Sequence, residues 1–255
     1  MKPQLYPLST TVQKAFRLLE IIGGRQPVRA SEILNESNLT RSNLYRLLST
    51  FQKMGYVERD NDLKYRLSFK IFILGNTIPQ RNQLSEVSRP FMARLAQRCK
   101  ENVNLAVMFG QKVLYIDKIE SPHYLKLDQP IGRTDPLHCT ALGKVLLSGL
   151  SDQELKTYLK STKLIPYTKK TITDPRVLEK VIQTVRREGY STDLEELSEG
   201  IHCIGAPIRD LTGKVIAAIS ISAPSVRLTR QKIKELKEPL LEASLGISKR
   251  LGYRK

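Results

Sequence analysis

Tryptophan is absent from this 255-residue chain, aromatic residues make up only 6%, and cysteine occurs three times. Cys99, Cys139 and Cys203 lie far apart and include no CxxC pair, which argues against a disulfide framework or a zinc ribbon. No apolar run approaches the ~18 residues of a membrane span. The start, from Met1 to Pro7, lacks the apolar stretch of a signal peptide, so a cytoplasmic protein with reduced thiols is expected. GxGxxG and GxxxxGK[ST] are missing, which removes support for dinucleotide or triphosphate binding. Three histidines at no recognised ligand spacing give no metal site, and no cofactor is expected. Acidic residues are scarce as well: 25 Asp+Glu stand against 42 Lys+Arg, a net charge of +17. Such an excess fits nucleic acid, an anionic membrane surface or mere solubility until it is tied to a shape.

The charge that is present divides unevenly. Residues 1–81 hold 13 basic and 6 acidic side chains, net +7, while the much longer remainder holds 29 and 19, net +10. Within the denser part, Val12, Ala15, Phe16, Leu19 and Ile22 recur at helical spacing after the cap signal Ser9-Thr10-Thr11, and Gly23-Gly24 reads as the stop. Residues 30–35 read as a second helix, with Ser31 as its cap and Ile33-Leu34 as its buried side. After the turn Glu36-Ser37-Asn38-Leu39, Thr40 opens a third helix with the stripe Leu44, Leu47, Leu48 and Phe51, ending at Gly55. Its other face presents Arg41, Ser42, Asn43, Tyr45, Arg46 and Ser49, donors and acceptors suited to phosphates and base edges in a major groove. Residues 56–59 and 64–67 alternate as strands around Asp60-Asn61-Asp62. Three helices and a hairpin make a winged helix-turn-helix. Double-stranded DNA is the expected partner, with Ser31, Thr40, Arg41, Ser42, Asn43, Tyr45 and Arg46 as candidate contacts.

This segment resembles the DNA-binding domain of the isocitrate-lyase-regulator (IclR) family of bacterial transcription factors. The resemblance is carried by Arg41-Ser42-Asn43-Leu44-Tyr45-Arg46-Leu47-Leu48, Gly55-Tyr56-Val57 and Tyr65-Arg66-Leu67. Members typically open the third helix with Lys-Ser-Thr-Val, so Arg41 and Asn43 are departures that bear on the operator sequence. The resemblance implies a dimer paired through its N-terminal parts. A two-fold dimer on a palindromic operator also follows from the few base pairs that one winged helix reads.

Residues 69–74 are apolar, Gly75-Asn76 interrupts them, and a helical pattern from Leu84 continues through Val87, Phe91 and Leu95, with Pro90 as a kink or restart. Residues 103–109 and 113–119 read as a hairpin around Gly110-Gln111, and residues 125–127 as a third short strand. Helical character follows over 141–150, 152–159 and 175–188, the last opened by an Asp174 cap and Pro175. Strands over 201–208 and 215–223 flank a turn at 210–213. A final helix over 229–252 has Ile233, Leu236, Leu240, Leu241, Leu245 and Ile247 as core candidates and Pro239 as a kink. Hairpins with interposed helices give an α+β fold with an antiparallel sheet. The expected organisation is a winged helix-turn-helix domain over 1–68, a linker helix region over 69–83 and a sensor domain over 84–255.

A nucleophile reading takes Cys139 beside His138, or Cys203 beside His202, with Asp193 or Glu195 as orienting carboxylate, and describes a thiol-dependent hydrolase. Neighbours on a strand point to opposite sides, so neither pair assembles a thiolate–imidazole couple by adjacency, and no enzymatic activity is expected.

The second segment extends the family resemblance to almost the whole chain. Ile131-Gly132-Arg133, then Pro136 through Lys144, Thr171-Ile172-Thr173-Asp174, Arg187-Glu188-Gly189-Tyr190, Asp193-Leu194-Glu195-Glu196, Gly200-Ile201-His202-Cys203 and Ala218-Ile219-Ser220-Ile221-Ser222 look like the successive blocks of the family's effector-binding domain. It implies a GAF-like fold that binds a small metabolite, often a carboxylate. The implied pocket contains the backbone amides near Ala141 and Leu142, the side chains of Asp193 and Cys203, and the hydroxyls of Ser220 and Ser222. The residues suit that use. A helix beginning near Thr140 offers unpaired N–H groups to a carboxylate, Ser220 and Ser222 share one strand face, and Asp193 suits a ligand hydroxyl. Residues 114–121 and 131–133 look most like the sugar-acid branch, which includes the regulator that answers 2-keto-3-deoxygluconate. The resemblance implies a repressor more often than an activator, and a homodimer or homotetramer.

Overall fold

Ser9 accepts a hydrogen bond from the Val12 amide and opens α1 (Thr10–Arg25) in a computed structural model that describes residues 7–76 and 79–254. The expected stop at Gly23-Gly24 is corrected: the helix runs through both glycines and ends at the extended Gln26, ahead of Pro27. The expected stripe is corrected too. Leu18, Ile21 and Ile22 are buried, whereas Val12 is 52% and Phe16 64% exposed. The expected stripe mixes two faces: Ile22 lies in the core and Leu19 packs against it, while Val12 and Phe16 are turned away.

The chain divides into two compact units, Met1–Pro79 and Gln80–Lys255. In the first, β1 (Val28–Arg29) runs straight into α2 (Ala30–Glu36), followed by α3 (Arg41–Lys53), β2 (Val57–Arg59), β3 (Lys64–Leu67) and α4 (Phe69–Asn76). Because β1 delivers the chain directly, the capping position falls on Arg29, whose amide donates to Glu32 Oε2 at 2.7 Å. Ser31, expected as the cap, sits exposed in the first turn. The sheet order is β1-β3-β2, all antiparallel. Asp60 Oδ1 accepts from the amides of Asp62 and Lys64 at 3.0 and 2.9 Å, closing the hairpin. Leu18, Ile22, Ile33, Leu44, Leu48, Val57 and Tyr65 fill the core.

The second unit contains α5 (Pro79–Cys99), β4 (Asn102–Phe109), β5 (Lys112–Ile119), β6 (Thr134–Pro136), α6 (Ala141–Ser148), α7 (Asp152–Ser161), α8 (Pro175–Glu188), β7 (Ser191–Leu194), β8 (Ile201–Arg209), β9 (Val215–Pro224) and α9 (Arg230–Arg250). Its antiparallel sheet has the order β6-β5-β4-β9-β8-β7. Helix α5 does not restart at Pro90, which lies on its exposed side, where the carbonyl the ring leaves open is not buried. The strand expected over 125–127 is also corrected. Leu125 is 67% exposed, and the segment is pinned by side chains, Asn102 Nδ2 donating to Leu127 O at 2.8 Å and Arg227 Nη2 to Leu125 O at 3.0 Å. The edge place belongs to β6, where Pro136 at the strand end costs no ladder bond. One sheet face packs Val103, Leu105, Ile219 and Ile221 against α5 and α9; the other packs Ala106, Val113 and Ala218 against α6, α7 and α8.

Candidate functional site

Two places in the chain carry site chemistry, one in each unit. In the first, Thr40 caps α3 by accepting the Asn43 amide at 3.3 Å. Leu44 and Leu48 are buried beneath the helix, which turns Arg41, Ser42, Tyr45 and Arg46 outward; Asn43 is half-buried. Arg46 Nη2 donates to Asn43 Oδ1 at 3.1 Å, so the two side chains form one polar unit on the exposed face. Ser31 is exposed at the start of α2. The hairpin adds cations absent from the sequence candidates: Arg66 is paired with Glu58 at 3.0 Å, and Arg59 lies 5.5 Å from the Tyr65 ring. Basic residues flanking the 60–62 turn were the available signal.

In the second unit the strand register lays out a polar floor. Asp193, Cys203, Ser222 and Asn102 pair in sequence across β7, β8, β9 and β4, and Ser191, Gly205, Ser220 and Asn104 form the adjoining row. Residues directly opposite share a face, so all the small and polar positions of these rows point toward α6, away from Ile219 and Ile221. Over this floor Thr140 caps α6, accepting the Gly143 amide at 3.0 Å and donating to Pro136 O at 2.9 Å. The helix can approach so closely because of two glycines. A Cβ at Gly143 would lie 2.2 Å from Leu137 O, and one at Gly205 3.2 Å from the Ala141 carbonyl carbon.

Between floor and helix lies a cavity of about 590 Å³ whose lining includes Ala141, Leu142, Asp193, Cys203, Ser220 and Ser222, every effector candidate read from the sequence. That volume is in the range of small-molecule sites. The wall also holds Tyr115, Gln129, Asp135, Thr140 and Tyr167. Asn104 Nδ2 donates to Gln129 Oε1 and Ser222 Oγ at 3.1 and 3.2 Å, and Gln129 Nε2 donates to Tyr115 Oη at 3.3 Å, so a buried network backs the floor. Its signal in the sequence is the alternation of Asn102 and Asn104 with Val103 and Leu105, which places both amides on the face shared with the serines.

Burial governs the titrating groups. Asp193 is lifted from its ordinary 3.8 to about 7, first by desolvation, against the opposing Glu196 amide, which donates to Oδ1 at 2.7 Å, and the Lys144 charge. Lys144, itself 2% exposed, is paired with Glu196. Desolvation pushes the Cys139 thiol up to about 12 and raises Cys203 still further. Neither histidine serves as a base for them: His138 Nε2 donates to Ile165 O at 3.0 Å, and His202 Nδ1 donates to Leu228 O at 2.8 Å. A nucleophilic cysteine needs the opposite environment, a lowered pKa beside a cation or imidazole. Glu195, the alternative orienting carboxylate, is paired with Lys170. Among the described residues, no helix is long and apolar enough to cross a membrane, and no group of three His, Cys, Asp or Glu could hold a metal ion.

Comparison with known proteins covers both units. Residues 11–61 match the IclR helix-turn-helix domain, and residues 77–249 match the bacterial transcriptional regulator IclR C-terminal domain. The chain is 34% identical over 245 residues to the HTH-type transcriptional regulator KdgR of Escherichia coli, covering 96% of this chain and 93% of the relative. It is 33% identical over 237 residues to the E. coli HTH-type transcriptional repressor AllR, covering 92% and 87%. Among solved structures it is similar to an IclR homologue from Microbacterium hydrocarbonoxydans complexed with 4-hydroxybenzoate, with a TM-score of 0.85 and 26% identity over 95% of this chain and 99% of the other. A winged reading helix, a cavity under a capped helix and these relatives converge: the chain belongs to the IclR family and is a DNA-binding transcriptional regulator with a C-terminal effector domain, not an enzyme.

Proposed function

We propose that the protein is a cytoplasmic, homo-oligomeric repressor that grips a palindromic operator through paired winged helices and releases or tightens that grip when a small carboxylate enters the cavity. The observation that carries this reading is the convergence of Ala141 and Leu142 from α6, Asp193 from β7, Cys203 from β8, and Ser220 and Ser222 from β9 on one enclosed space. The amides at the start of α6 point a partial positive charge at that space and hold the carboxylate. The serine hydroxyls donate to it or to its substituents. A carboxylate in the related 4-hydroxybenzoate complex and a relative named as a repressor support the ligand class and the sign. Likeness to KdgR supports the sugar-acid branch.

On the DNA side, Arg41, Ser42, Asn43, Tyr45 and Arg46 read the groove, and Ser31 and Thr40 meet the backbone. Residues 1–68 act as the reading domain, 69–83 as the linker and 84–255 as the sensor. A second copy covers the exposed apolar surface of the first unit, where Phe16, Phe69, Phe72 and Ile73 are 64, 82, 59 and 64% exposed. The effector shifts the balance between two placements of the reading helices by its difference in affinity for them.

Calorimetry with keto acids and sugar acids tests the pocket. A binder is expected, with affinity reduced at least about tenfold in Asp193→Ala or Ser220→Ala, the cost of losing a buried polar contact. A true binder indifferent to both substitutions places the site elsewhere.

A further inference from the structure

Asp193 stands in the cavity without a cation of its own. It is 2% exposed, and the charged groups around it are committed. Lys144 of α6 is paired with Glu196, on the turn after β7, and Arg133, ahead of β6, holds Asp135 at 3.0 Å. Lys112, the other cation of the lining, is exposed on β5, near the opposite edge of the sheet from β7. The remaining neighbours are neutral thiols: Cys203, its cross-strand partner on β8, and Cys139 ahead of α6. Three acids, Asp135, Asp193 and Glu196, thus share two committed cations, and the acid left over is the one beside the effector position. Burial without a counter-charge favours the protonated acid, against the Glu196 and Leu197 amides, which favour the carboxylate. The protonated form also changes what the residue offers a ligand. An ionised Asp193 repels a carboxylate, while the neutral acid donates a hydrogen bond to it.

We propose that Asp193 is the residue that admits anionic effectors, meeting the ligand as a neutral acid whose O–H donates to the effector carboxylate. The proposal rests on the reading that the cavity binds a carboxylate. The effector stays ionised; when Asp193 begins as carboxylate, one proton passes from solvent to the carboxylate oxygen that meets the ligand, and no other covalent bond changes. This reverses the direction of the hydrogen bond expected from the sequence, in which Asp193 accepts from a ligand hydroxyl.

The test is calorimetry on the full-length protein with pyruvate, D-gluconate, 2-keto-3-deoxygluconate and 4-hydroxybenzoate, in two buffers of different ionisation enthalpy. At about pH 7.5 binding takes up most of one proton, and affinity is about tenfold weaker at about pH 8 than at about pH 6. Asp193→Asn, which keeps a donor, retains binding and loses both the uptake and the pH dependence, whereas Asp193→Ala loses binding at every pH. Binding without proton uptake and with a flat pH profile overturns the proposal and leaves the carboxylate reading standing. Failure of all four acids at every pH overturns the carboxylate reading, and the proposal with it. The wild-type proton count decides the matter even where a variant does not fold.

Discussion

Asp193 carries a folding cost that its amide counterpart lacks. Its acid titrates at about 7 in the folded chain against an ordinary 3.8. The folded state therefore holds the extra proton between those values, and stability falls as pH rises from about 4 to about 7. Asp193→Asn is expected to be the more stable protein at about pH 8, by up to a few kcal/mol, and to lose that advantage at about pH 4. Urea unfolding at both pH values measures it; the same pH dependence in both proteins would assign the titration to another group. At this scale Asp193, Cys203, Ser220 and Ser222 were legible because they sit at fixed places in recognisable blocks, and the serines also alternate with Ile219 and Ile221. Gln129 and Tyr167 were not. They lie in irregular segments that carry no period, and only packing in three dimensions brings them to the cavity.

Elements with a cap and several turns could be read almost to the residue. Asp174 with Pro175 marks α8, Thr229 marks α9 and Thr40 marks α3, each cap side chain accepting an amide of the first turn. What stayed hidden were β1, β6 and β7, of two, three and four residues, too short for alternation to register. The hidden β7 is the strand that brings Asp193 to the edge of the site. Helix α6 shows how tightly an element is placed. With Leu137 O only 2.2 Å from the position of a Cβ at Gly143, Gly143→Ala must displace backbone. Overpacking of this kind costs about 1–3 kcal/mol or more. Gly143→Ala should lose effector binding while operator binding by the first unit persists; calorimetry beside a gel-shift assay separates the two. Unchanged effector affinity would mean that the start of α6 does not hold the ligand.

For the molecule as a whole, +17 of net charge resolves into two uses. The denser share belongs to residues 1–81, which contain a helix with Arg41 and Arg46 outward, while the rest spreads over the effector domain as general attraction to a polyanion. The winged helix was legible in the sequence because helix, turn, helix and hairpin follow one another with the right spacing. The exposed apolar patch around Val12 and Phe16 was misassigned to the core, since the two have the same period as true core residues. Periodicity marks an apolar face and does not say which element, if any, packs on it.

Occupancy of the cavity is expected to set the affinity for DNA. The most direct test is a fluorescence-anisotropy titration of a labelled duplex, recovered by genome-wide mapping of bound sites, with and without an acid that calorimetry shows to bind. Wild-type affinity should fall linearly with salt on logarithmic axes, Arg46→Ala should weaken binding and flatten that slope by about one, and the acid should change affinity by about 5–150-fold. An acid that binds the protein and leaves operator affinity unmoved would show that the cavity does not control the reading helices.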